Sequence, residues 1–111
     1  MEKYQKEGIV MSVLQITKDN FEELVKNSEK PVLLDFWATW CGPCRMVAPV
    51  VEEIAEERTD YVVGKINVDE EMELTREFGI VSIPTIIILR NGEIARKVVG
   101  YRSKPEMIAL L

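Results

Sequence analysis

Apolar residues recur along this chain in two rhythms. One is the short run of bulky or β-branched residues expected of a buried strand: Val13 to Ile16, Val32 to Ala38, Tyr61 to Val68, and Ile83 to Leu89. The other is helical. Phe21, Leu24 and Val25 share a face, as do Met46, Val47, Val50, Val51, Ile54 and Ala55. Glu71 to Phe78 reads as a short helix closed by Gly79, and Lys104 to Leu111 as a last, short one. Thr17 to Asn20 supplies capping residue types before the first helix. Pro31 opens the second strand, and Pro43 falls at the start of the next helix, where its missing N–H is not needed. Pro49 lies inside the apolar stripe and predicts a kink rather than a stop. Asn91-Gly92 predicts a two-residue hairpin into Glu93 to Val99, which Gly100 ends.

The predicted order is β-α-β-α-β-α-β-β-α. Strands separated by helices favour right-handed parallel crossovers, and the hairpin adds an antiparallel pair. The expected class is therefore α/β: a central mixed five-stranded sheet flanked by four helices, with helices on both faces. The periodic pattern begins only at Met11-Ser12. Residues 1–11 are read as a short N-terminal extension and a candidate for disorder, and residues 12–111 as one domain.

Chemistry enters with Trp40-Cys41-Gly42-Pro43-Cys44, which holds the only two cysteines of the 111 residues. On a helical turn, residues three apart come close enough to form a disulfide. A thiol at a helix N-terminus faces unpaired backbone N–H groups and the positive end of the dipole, which favours its thiolate. Cys41 is the expected nucleophile, and Cys44, one turn inside, the expected resolving thiol. A bridge across so short a loop adds only about 2 kcal/mol by the chain-entropy account, so stability explains it poorly. Asp35 interrupts the most hydrophobic run of the chain. Burial there would raise its pKa and let it exchange protons with Cys44 through a water; the alternative is a solvated strand edge.

Composition removes other classes. Histidine is absent, so there are no His-based triads or His metal ligands. A zinc site would need four thiolates shared by two chains, and no metal or other cofactor is expected. Two buried, inert cysteines are a plainer alternative, but they leave the Gly-Pro between them at a helix start unexplained. The net charge of −5 speaks against non-specific nucleic-acid binding. No apolar run reaches membrane-spanning length, so no membrane partner is expected. The start of the chain lacks the apolar centre of a secretory signal, which favours a cytoplasmic location.

The run from Val32 to Cys44 resembles the thioredoxin family. So do Lys65-Ile66-Asn67-Val68-Asp69, Phe78-Gly79-Ile80, Ile83-Pro84-Thr85 and Asn91-Gly92-Glu93, in matching order and spacing over residues 12–111. The resemblance implies the thioredoxin fold and a general protein-disulfide reductase working by dithiol–disulfide exchange. Its implied partners are disulfide-containing proteins and a thioredoxin reductase, and the protein is expected to be a monomer. It further implies a cis bond at Ile83-Pro84 facing the cysteines, with the Ile83 backbone pairing with substrate. Lys65 would sit near Asp35 and modulate its charge. Trp40, Gly42, Pro43, Val81, Ser82, Ile83, Pro84, Val99, Gly100 and Tyr101 would form a shallow apolar contact surface.

Three features depart from the family pattern: residues 1–11 have no counterpart, Val81-Ser82 differs from many relatives, and Tyr101 replaces a small residue. Two other functions stand beside the reductase. A disulfide oxidase or isomerase usually carries histidine between its cysteines, and Gly-Pro points away from that. An adaptor would use the same apolar surface to hold a partner without electron transfer.

Overall fold

The computed structural model describes residues 12–111; the extension expected over 1–11 lies outside the described residues. Five strands form one sheet: β1 (Val13–Gln15), β2 (Val32–Trp37), β3 (Val62–Asn67), β4 (Thr85–Arg90) and β5 (Glu93–Val99). Their spatial order is β1-β3-β2-β4-β5. β3 runs parallel to both β1 and β2, while β4 is antiparallel to β2 and β5. The helices are α1 (Gly42–Glu57), α2 (Met72–Glu77) and α3 (Lys104–Ile108), preceded by a π-helix over Glu22–Lys26.

Period-two alternation distributes the central strands between two cores. Leu33, Val63, Ile86 and Ile88 pack with Val47, Val51 and Ile54 of α1 and Met107 of α3. Leu34, Phe36, Ile66 and Ile87 face the other way, against Val25 of the π-helix and Leu74 of α2. The sheet is thus covered on both faces. The same alternation puts Asp35, between Leu34 and Phe36, on the α1 face.

Local differences from the sequence reading have local causes. The first helix is π-helical, and its expected cap works elsewhere: Asn20 Oδ1 accepts from Thr17 N at 2.8 Å and Asn20 Nδ2 donates to Gln15 O. The strand expected from Ile83 begins at Thr85, because Pro84 has no N–H for the ladder. α1 starts at Gly42, with Cys41 as its N-cap, and continues through Pro49. The last helix stops at Ile108; a reciprocal Ser103–Glu106 capping box fixes its start. At the hairpin, Asn91 and Gly92 have φ of 54° and 79°, as a primed turn requires. Gly64 answers a packing demand, since a Cβ there would lie 2.5 Å from Ile16 Cγ1.

Candidate active site

The C-terminal end of β2 delivers the chain into a short turn, Ala38–Trp40, and then into α1. Cys41 caps that helix with extended backbone (φ −97°, ψ 113°), and its Sγ accepts from Cys44 N at 3.2 Å. The two sulfurs are joined, with the Cα atoms 5.2 Å apart. Both cysteines are buried, Cys41 at 5% exposure and Cys44 at 2%. Gly42 and Pro43 form the first turn between them. No acidic residue lies in that turn, so the helix start itself sets no carboxylate against a negative sulfur. The Arg45 guanidinium folds back to donate to Thr39 O at 2.8 Å and ties the turn to the helix.

Behind the disulfide lies a cavity of about 120 Å³, lined by Asp35, Trp37, Cys44, Arg45, Glu52 and Lys65 with Val13, Ala48 and Val51. That is room for water, which takes up roughly 30 Å³ per molecule in the liquid. Asp35 is only 4% exposed, and its Oδ1 has no protein partner; neither has Trp37 Nε1 on the same cavity. Burial raises the Asp35 pKa from 3.8 to about 7, against a smaller opposing pull from Lys65. Lys65 is the direct cross-strand neighbour of Asp35, and its ammonium lies 5.2 Å from the Trp37 ring centroid. The solvated edge considered for Asp35 is therefore not what the fold provides.

On the solvent side, the Ile83-Pro84 bond is cis, and Ile83 O stands 3.8 Å from Cys41 Sγ. Ile83 packs with Ala38 and the two cysteines. Pro84 is buried, and its carbonyl accepts from Gly100 N at 2.8 Å, which brings the end of β5 to the site. Val99 is paired with Thr85, and Tyr101 follows Gly100; both side chains are exposed. Val81 and Ser82 are exposed too, Val81 at 94%. Trp40 is 67% exposed, yet held: its Nε1 donates to Asp69 Oδ2 at 2.8 Å. A groove between Trp40 and Val81 is floored by Val68, Thr75, Ile80 and Ile83.

The two cysteines, Asp35, Lys65, Ile83 and Pro84 thus lie toward the end of the sheet where β2 hands over to α1. The sequence patterns assign no role there to Asp69, Trp37 or Arg45. For Trp37 a signal existed, because period two places it on the face of Asp35. The contact of Trp40 with Asp69 spans 29 residues and has no local trace.

Paired sulfurs at a helix start, a buried carboxyl behind them and an apolar groove in front define a thiol–disulfide oxidoreductase. The family model for thioredoxin matches residues 12–111. The chain is 48% identical to a thioredoxin of Alicyclobacillus acidocaldarius subsp. acidocaldarius over 101 residues, covering 90% of this chain and 95% of the relative. It is 52% identical to a thioredoxin of Listeria monocytogenes over 96 residues, covering 86% and 91%. It is also 49% identical to part of a bifunctional thioredoxin reductase/thioredoxin of Mycobacterium leprae, covering 86% of this chain and 21% of that protein. The chain belongs to the thioredoxin family, and it is a protein-disulfide reductase acting by dithiol–disulfide exchange through Cys41 and Cys44.

Proposed function

We propose a division of labour in which Cys41 attacks, Cys44 resolves and Asp35 exchanges the proton. The observation that carries this reading is the asymmetry of the pair. Cys41 Sγ sits at the N-cap and accepts a backbone N–H, whereas Cys44 lines the cavity with Asp35. In the reduced protein, Cys41 thiolate attacks one sulfur of a substrate disulfide, and the other substrate sulfur leaves as a thiolate. Cys44 then loses its proton toward Asp35 and attacks Cys41 Sγ, which expels the second substrate thiolate. Two protein thiols become one disulfide as one substrate disulfide becomes two thiols. Lys65 lowers the cost of a charged Asp35 and so tunes the proton step.

Trp40, Gly42, Pro43, Val81, Ser82, Ile83, Pro84, Val99, Gly100 and Tyr101 form the substrate-contact surface in this reading. The Ile83 N–H, which has no backbone partner among the described residues, suits pairing with an extended substrate chain. Such a dithiol needs reduction from outside. The partner we assign is a thioredoxin reductase, supported by the protein whose name joins that activity to a thioredoxin. One chain supplies both thiols, consistent with action as a monomer, and the reaction suits a reducing cytoplasm.

The test is a pair of variants assayed on insulin disulfides. Cys41→Ser is expected to lose reduction to background. Cys44→Ser is expected to accumulate a covalent mixed disulfide through Cys41, visible by mass spectrometry. Retention of activity in Cys41→Ser, or trapping through Cys44 instead, contradicts the assignment.

A further inference from the structure

The exposed ridge that faces Cys41 has little backbone support of its own. Among the described residues, no backbone hydrogen bond holds the N–H of Val81, Ser82 or Ile83. The ridge is secured at its ends. At its C-terminal end, Thr85 Oγ1 donates to Ser82 O, and Gly100 N donates to Pro84 O. At its N-terminal end, the Lys97 ammonium reaches from β5 to the last turn of α2 and donates to Phe78 O at 3.2 Å and Gly79 O at 3.3 Å. Those carbonyls stand at the close of a helix, where they lack helical N–H partners and a cation is favoured. Gly79 has φ of 65°, the turn from which the ridge departs. Lys97 of β5 and Gly100 just beyond it, three residues apart, thus reach both ends, adding at the N-terminal one to the bond from Ile80 N to Thr75 O at 3.1 Å.

We propose that Lys97 is a positioning residue for protein substrates: by holding the end of α2, it fixes where the Val81–Ile83 ridge stands opposite Cys41. The proposal rests on the reductase reading, since it assigns the ridge to substrate. Lys97 does not line the cavity around Asp35 and Cys44. Its loss therefore leaves the sulfur and proton chemistry in place. What changes is the ordering that substrate must impose on a looser ridge, a cost that appears in binding.

Lys97→Met keeps the aliphatic stem and removes the donors, and Lys97→Arg restores them. With insulin as substrate, Lys97→Met is expected to raise KM about three- to tenfold with kcat changed by less than about twofold, the scale of the net worth of one ordinary hydrogen bond, since the Lys97 contacts are exposed to solvent. Lys97→Arg is expected to return KM to near the parent value. The rate with 5,5′-dithiobis(2-nitrobenzoate), a small aromatic disulfide that does not span the ridge, is expected to be unchanged in both. A Lys97→Met protein with the parent KM overturns the proposal, as do equal losses on both substrates or no recovery with arginine. Lys97→Gln, assayed the same way, replaces Lys97→Met should that variant fail to fold. Failure of the parent protein to reduce insulin would instead remove the reductase reading itself.

Discussion

The two sides of the disulfide are built from opposite materials. Behind it, Asp35, Lys65 and Cys44 share a cavity walled by Val13, Ala48 and Val51, and burial of the carboxyl there raises its pKa to about 7. In front, Trp40, Val81 and Tyr101 offer apolar surface directly to solvent. The contrast teaches that, on the proposed division of labour, proton handling and recognition are separated by the thickness of the sulfur pair. The inner side depends on burial and is written into β2 and β3. The outer side depends on exposure and is carried by loops. Each can be perturbed alone.

The larger break is expected on the inside. In the folded chain the Asp35 pKa is about 7, above the ordinary 3.8. Between those values the folded state binds more protons than the unfolded one, so wild-type stability falls as pH rises from about 4 to about 7 and then levels off. The full penalty is on the order of 4 kcal/mol. Asp35→Asn is expected to recover most of it above pH 7 and to flatten the pH dependence, read by denaturant unfolding at several pH values. The same variant should slow resolution of the mixed disulfide by on the order of tenfold or more, without weakening insulin binding. A wild-type stability that does not fall over this range would remove the buried proton site from the account.

On the outside, Val81→Asp places a charge on the most exposed part of the ridge. Its expected effect is a KM for insulin raised about five- to tenfold, with stability within about 0.5 kcal/mol of the parent. Unchanged kinetics would mean that substrate passes elsewhere. Asp69→Ala is the mildest test. It removes the acceptor that holds the Trp40 indole, and a two- to threefold rise in KM, about 0.5 kcal/mol, is expected. No change there would show that Trp40 needs no tether.

The inner side was far more legible in the sequence than the outer. Asp35 stands among apolar residues, and alternation puts it on the sheet face opposite Leu34 and Phe36. The succession of strands and helices along the chain and the Asn91-Gly92 hairpin follow from local residue types in the same way. The outer surface could be named only by likeness to a family, because loop proximity leaves no periodic trace. Other features needed the third dimension. Gly64 is explained by one side chain of Ile16 across a strand pair. The reach of Lys97 to α2 looks, in sequence, like any lysine of an edge strand. The π-helical turn at Glu22–Lys26 differs from an α-helix by one residue of register, a distinction that side-chain spacing over five positions does not make.

The central claim is a stoichiometric exchange between two thiols of this chain and one disulfide of another. The direct measurement is intact-mass analysis of the fully reduced protein after incubation with a limiting amount of insulin, followed by peptide mapping. The account predicts loss of two hydrogens per insulin disulfide cleaved, with the new bond mapping to Cys41 and Cys44. Insulin thiols appearing while Cys41 and Cys44 remain reduced, or no insulin thiols at all, would contradict it.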